Sequence, residues 1–166
     1  MKRILITGMS GTGKSTVIRE LAARGYKAVD ADEDGLSEVV SVPLDEPTGL
    51  EPGQDWVWNE ERIQALLSTE DAEVLFLSGC APNQGQFYPQ FDLVILLSAP
   101  ANVIVERLAT RTNNPYGKRP GEIERTLNLI DSIEPLLRRG ASHELNTTAP
   151  LDEVVTEILR FAGETA

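Results

Sequence analysis

The chain has 166 residues, enough for one domain with a substantial core. Its 15 basic and 26 acidic side chains give a formal charge of −11, which excludes a broad, non-specific grip on nucleic acid or on an anionic membrane. The single cysteine, Cys80, leaves no internal disulfide, and no apolar run reaches membrane-spanning length, so a cytoplasmic monomer or dimer is expected.

Ile4-Leu5-Ile6 reads as a buried parallel strand. The stretch that follows, Gly8-Met9-Ser10-Gly11-Thr12-Gly13-Lys14-Ser15, fits G-x-x-x-x-G-K-[ST] at every fixed position. Val17, Ile18, Leu21 and Ala22 then recur at helical spacing, and Gly25 is placed to stop that helix. A strand, a glycine-rich turn and a helix N-terminus in succession form an anion cradle. Backbone N–H groups of Gly8, Ser10, Gly11, Thr12 and Gly13 curl inward toward phosphate oxygens, and the helix dipole adds to the attraction. Lys14 is expected to reach the β- and γ-phosphates of ATP. Ser15 is expected to ligate Mg²⁺, with Thr16 beside the phosphates.

Tyr26 to Val29 reads as a second strand, ending at Asp30. Ligands in open α/β sheets bind off the carboxyl ends of the strands, so Asp30 and Asp32 suit a metal-side and an acceptor-side carboxylate. An acidic, solvated turn with Asp32 or Asp34 as a helix cap stays open beside that reading. Residues 33–55 carry three prolines and three glycines and read as an irregular acceptor-side loop, followed by a helix from Trp58 to Leu67. Of Trp56 and Trp58, one is expected to wall the acceptor and one to anchor the core. Arg62 is the sole basic residue between Lys27 and Arg107 and is expected at the acceptor.

Val74 to Leu77 is a third strand and Leu93 to Leu97 a fourth. Gly79, just past the third strand, allows close approach of an acceptor. That strand ends in Ser78-Gly79 where motor ATPases carry an aspartate, and no N-K-x-D base-reading motif exists. Mechanical ATPases and GTPases are thereby disfavoured. Pro100 to Arg111 reads as a helix bearing Arg107 and Arg111 on one face. The loop 112–121, with Lys118 and Arg119, follows as a candidate lid whose cations clamp the moving phosphoryl group; a solvated basic face is the alternative. Glu122 to Arg139 is helical, with Pro135 expected to kink or split it. Glu144 to Asn146 is a weaker fifth strand, and Leu151 to Phe161 a last helix.

The alternation predicts an α/β domain over 1–166, a five-stranded parallel sheet between helical layers with a short lid. The chain resembles the small P-loop kinases around shikimate kinase and adenylate kinase, from Lys2 to about Phe161. Gly8 to Ser15, Asp30-Ala31-Asp32, and Arg107-Leu108-Ala109-Thr110-Arg111 with its loop carry the resemblance. It implies a three-layer P-loop fold and MgATP as donor. Asp30 would then support Mg²⁺ through water, and Asp32 would bind the acceptor hydroxyl as candidate base. Arg107 would pack on adenine, Arg111 would reach the phosphates, and Asn146 to Pro150 would lie against the base. The reaction expected is phosphoryl transfer to a hydroxyl of a small molecule. A nucleoside or nucleoside monophosphate kinase, and an ATP-binding regulatory module, are the alternatives. The chain departs from both family branches after the third strand. It has Ser78-Gly79-Cys80 in place of a glycine triplet, and Asn83 where nucleotide kinases carry an arginine.

Overall fold

The structure, a computed structural model, describes residues 1–112 and 114–164; Asn113, within the expected lid, lies outside the described residues. The first half runs β1 (Lys2–Thr7), α1 (Lys14–Ala23), β2 (Lys27–Asp30), β3 (Ser37–Ser41), β4 (Gln54–Trp58), α2 (Glu60–Ser68) and β5 (Val74–Ser78). A 3₁₀ segment, Gln84–Gln90, leads into β6 (Leu93–Ser98), α3 (Ala101–Thr110), α4 (Glu122–Gly140), β7 (His143–Asn146) and α5 (Leu151–Phe161). β2, β5, β1, β6 and β7 lie in that order in one parallel sheet, as expected.

Alternation along β1 explains the layering. Ile4 and Ile6 face Val17, Ile18 and Leu21 of α1 and Val155 and Ile158 of α5. Leu5 faces the other way, with Leu75 and Leu77, onto Trp58, Ile63 and Leu67. Leu96 joins Met9 and Leu137 beneath α4. Ile4, Leu5 and Ile6 are fully buried, as a parallel sheet covered on both faces requires.

Three details depart from expectation. Part of the loop 33–55 is ordered as an antiparallel hairpin in which Val39 pairs with Trp56 and Ser37 with Trp58. Trp58 therefore ends a strand rather than starting a helix. Asn59 caps α2 instead, its Oδ1 accepting from the Arg62 N–H at 3.0 Å. The third concerns α4, which is not split at Pro135 but continues to Gly140; Asp131 and Pro135 are both exposed, so water can take the carbonyl that proline leaves unbonded.

Candidate active site

The glycine-rich turn leaves β1 at the middle of the sheet. At Gly13, with φ +100°, the backbone is left-handed and caps α1 directly before Lys14. Gly8 lies so close to β6 that a Cβ would stand 2.4 Å from the Leu97 carbonyl oxygen. Thr12 is fully buried and its Oγ1 donates to Met9 O at 2.8 Å, so Gly8 and Thr12 brace the turn from below. Lys14 Nζ donates to Gly8 O at 2.7 Å and Met9 O at 3.1 Å, which folds its charge over the turn.

Asp30 ends β2 beside Ser78 of β5. Its Oδ2 accepts from Ser15 Oγ at 2.6 Å, and its Oδ1 accepts from the Asp32 N–H at 2.9 Å. The carboxylate thus comes from the neighbouring strand rather than from the end of β5. A hydroxyl and a carboxylate beside a phosphate cradle are hard oxygen donors, which suits Mg²⁺ sharing its shell with phosphates and water. Asp32 accepts from Trp56 Nε1 at 2.6 Å, a partner that the hairpin carries across from 24 residues away. Asp32 keeps contact with solvent, yet protein crowds it. That crowding raises its pKa, opposed first by the Trp56 hydrogen bond and then by the charge of Lys14.

Arg107 lies in the last turn of α3, but Arg111 is its C-cap in an extended conformation, so the two do not share one helix face as expected. Arg107 donates to Thr147 Oγ1 at 2.9 Å and to Thr147 O at 2.6 Å, and Thr147 Oγ1 donates in turn to Thr12 O at 2.6 Å. This ties the loop after β7 to the glycine-rich turn. Arg111 Nη2 donates to Tyr116 O at 2.8 Å, while its Nε is buried without a partner. Burial lowers the Arg111 pKa, opposed by its charge interactions with Tyr116 and Glu122. Glu122 Oε1 accepts from the Gly117 and Arg119 N–H groups, both at 3.0 Å, and shapes the turn before α4.

Two cavities meet here. One, of about 380 Å³, is lined by Gly11, Gly13, Ser15, Thr16, Arg107 and Arg111. The other, of about 460 Å³, opens between the loop 42–53, Trp56, Cys80 and α4. Ser10, Lys14, Asp32 and Asn114 line both. Burial pushes the pKa of the Cys80 thiol up, which disfavours its thiolate form.

Several expected site residues lie elsewhere. Arg62 is exposed in the first turn of α2, donates to Gly35 O at 2.8 Å and lines neither cavity. Gly79 packs beneath Trp58, whose Nε1 would lie 2.8 Å from an added Cβ. Trp58 is therefore the anchor and Trp56 the wall. Arg119 is exposed and lines neither cavity. Asn146 accepts from Thr148 N–H and Oγ1, and Pro150 caps α5; Thr147, Ala149 and Leu151 line the first cavity in their place. The second cavity adds Tyr116 and Leu129, which no motif marked. The helical repeat of apolar residues along α4 is the one signal for Leu129, and a place in the loop 112–121 the one signal for Tyr116.

A family model described as an AAA domain matches residues 4–128. The chain is 30% identical to shikimate kinase 2 of Yersinia enterocolitica, covering 97% of this chain and 95% of the relative. It is 26% identical to an adenylate kinase isoenzyme 6 homolog of Caenorhabditis elegans, covering 97% and 89%. Its fold is shared with shikimate kinase from Acinetobacter baumannii in complex with shikimate, at a TM-score of 0.63, 21% identity and coverage of 98% and 93%.

Proposed function

We propose that this chain, which belongs to the AAA-domain family of P-loop proteins and is a small-molecule kinase of the shikimate kinase type, transfers the γ-phosphate of ATP to a hydroxyl held at Asp32. One observation carries the assignment of roles: Lys14 and Asp32 stand on the wall shared by both cavities, where donor and acceptor must meet. Asp32 orients the hydroxyl and takes its proton, and a raised pKa suits a base. Lys14 and Arg111 neutralise charge on the moving phosphoryl group. Arg119 joins them when the lid, residues 112–121, closes. Mg²⁺, which Ser15 and Asp30 would hold, screens the phosphate charge when bound. Arg107, Thr147 and Ala149 shape the nucleoside side. A free thiol and dependence on ATP suit the cytoplasm.

The test is coupled ADP release across a panel of hydroxylated small molecules, followed by Asp32→Asn and Lys14→Ala. Transition-state groups of this kind supply roughly 10²–10⁴-fold in rate, so both variants lose acceptor-dependent release by at least about a hundredfold. Asp32→Asn keeps its affinity for MgATP. A slow release that no acceptor stimulates, and that Asp32→Asn leaves unchanged, would instead mark an ATP-binding regulatory module. The relative described as an adenylate kinase homolog keeps a nucleotide acceptor in view. A monophosphate acceptor needs a second cation in the larger cavity, and among the described residues Lys14 is the one basic side chain that lines it.

A further inference from the structure

The acceptor-side cavity has an uneven charge. Its apolar lining includes Met9, Pro47, Leu50, Trp56, Leu129 and Ile133. Its charged lining is Lys14 against three carboxylates, Asp32, Glu33 and Asp55. Lys14 faces the glycine-rich turn, where the phosphates go. Three nearby arginines are already engaged, one of them with the lining carboxylate Glu33. Arg19 pairs with Glu33 at 3.3 Å, Arg125 with Glu51 at 3.0 Å, and Arg62 bonds Gly35 O.

Asp55 differs from the other two carboxylates. Asp32 holds the Trp56 indole and Glu33 has Arg19, whereas Asp55 Oδ1 accepts only from the neighbouring Trp56 N–H at 2.8 Å. Among the described residues no basic side chain pairs with it. A carboxylate or phosphate on the acceptor would enter this space against like charges with no cation to receive it. An ammonium group would meet Asp55 and the aromatic side chains of Trp56 and Tyr116, whose rings attract organic cations.

We propose that the acceptor is an amino alcohol: a compact, largely apolar body with its reacting hydroxyl at Asp32 and an ammonium group at Asp55. The inference rests on the kinase reading above. In the transfer, the acceptor oxygen bonds to the γ-phosphorus and the bond from that phosphorus to the β–γ bridging oxygen breaks. ADP leaves with that electron pair, and the hydroxyl proton passes to the Asp32 carboxylate.

Three probes that share one ring separate charge from shape: trans-4-aminocyclohexanol, trans-1,4-cyclohexanediol and trans-4-hydroxycyclohexanecarboxylate. Each is titrated calorimetrically into the full chain with a non-hydrolysable MgATP analogue bound, and each is then tried as an acceptor by mass spectrometry. The amine is expected to bind about tenfold more tightly than the diol, as a charge-assisted contact implies, and the hydroxy acid most weakly. Rising salt weakens the amine selectively, and Asp55→Asn removes its advantage over the diol. Binding of the hydroxy acid as tight as that of the amine overturns the proposal. So does a preference for the amine that Asp55→Asn and salt leave intact, or no amine binding up to about 50 mM, a concentration that reaches even weak affinities. The kinase reading fails separately: a preferred amine that never gains a phosphate sinks transfer and keeps the charge preference, whereas phosphorylation of the hydroxy acid alone does the reverse.

Discussion

At the scale of single residues, the proposed reaction rests on Asp32 as its base, and the surroundings of Asp32 would set the pH at which it works. Protein crowding favours its neutral form, while the 2.6 Å hydrogen bond from the Trp56 indole favours the charged form. A base must be ionised, so kcat/KM falls as pH drops through the Asp32 pKa, above the ordinary aspartate range. Trp56→Phe removes the donor that stabilises the carboxylate. The pKa therefore rises and the acid limb moves to higher pH. A pH profile of kcat/KM for wild type and Trp56→Phe checks this, and a limb that stays put or moves to lower pH refutes it. The i, i+2 spacing of Asp30 and Asp32 at a strand end was legible in the sequence, because strand geometry and ligand position are linked. The hydrogen bond from Trp56 was not, because it depends on a hairpin that no local pattern announced. Arg62 shows the converse: charge made it a candidate, and the cap at Asn59 turned it onto Gly35.

At the scale of elements, legibility followed burial. β1, β5 and β6 are buried apolar runs, and α5 repeats its apolar residues every three or four positions, so all four stand out in the chain. β3 and β4 are short, with Trp58 their one buried residue, and are separated by prolines and glycines, so their pairing comes from tertiary context. In the loop after β7, Asn146 organises its own turn, while Thr147 reaches the glycine-rich turn. Thr147 Oγ1 joins Arg107 to the Thr12 carbonyl, so one hydroxyl couples three elements, the glycine-rich turn, α3 and the loop before α5. Thr147→Val keeps the shape and deletes those bonds. Each is worth about 0.5–1.5 kcal/mol, so MgATP affinity is expected to fall about tenfold. Titration of MgATP with Thr147→Val measures this, and the acceptor KM serves as the control that stays within twofold. An affinity equal to wild type would mean that Arg107 holds the loop through the Thr147 carbonyl alone.

At the scale of the whole molecule, the two segments that flank the cavities are joined to each other. Tyr116, in the segment after α3, donates its hydroxyl to Gly49 O at 2.7 Å. Arg125 at the start of α4 pairs with Glu51 at 3.0 Å, but Glu51 is 69% exposed, and such pairs are worth about 0–1 kcal/mol. The half-buried Tyr116 bond is therefore the stronger clasp, and it links the donor-side segment 112–121 to the acceptor-side loop 42–53. Arg111, which lines the first cavity, holds the same segment through Tyr116 O, so the Tyr116 backbone is tied to one cavity and its hydroxyl to the loop beside the other. Ordering of the phosphate side should then be felt on the acceptor side. Tyr116→Phe cuts the link and leaves the ring in the cavity wall. Its acceptor KM is expected to rise about three- to tenfold, the worth of one hydrogen bond, while Glu51→Gln changes it by less than about twofold. Hydrogen exchange with a MgATP analogue bound gives the sharper reading: in wild type both segments gain protection together, and in Tyr116→Phe only 112–121 does. Equal protection of 42–53 in the two proteins would show that the acceptor loop closes on its own, with Tyr116 as part of its wall and not its clasp.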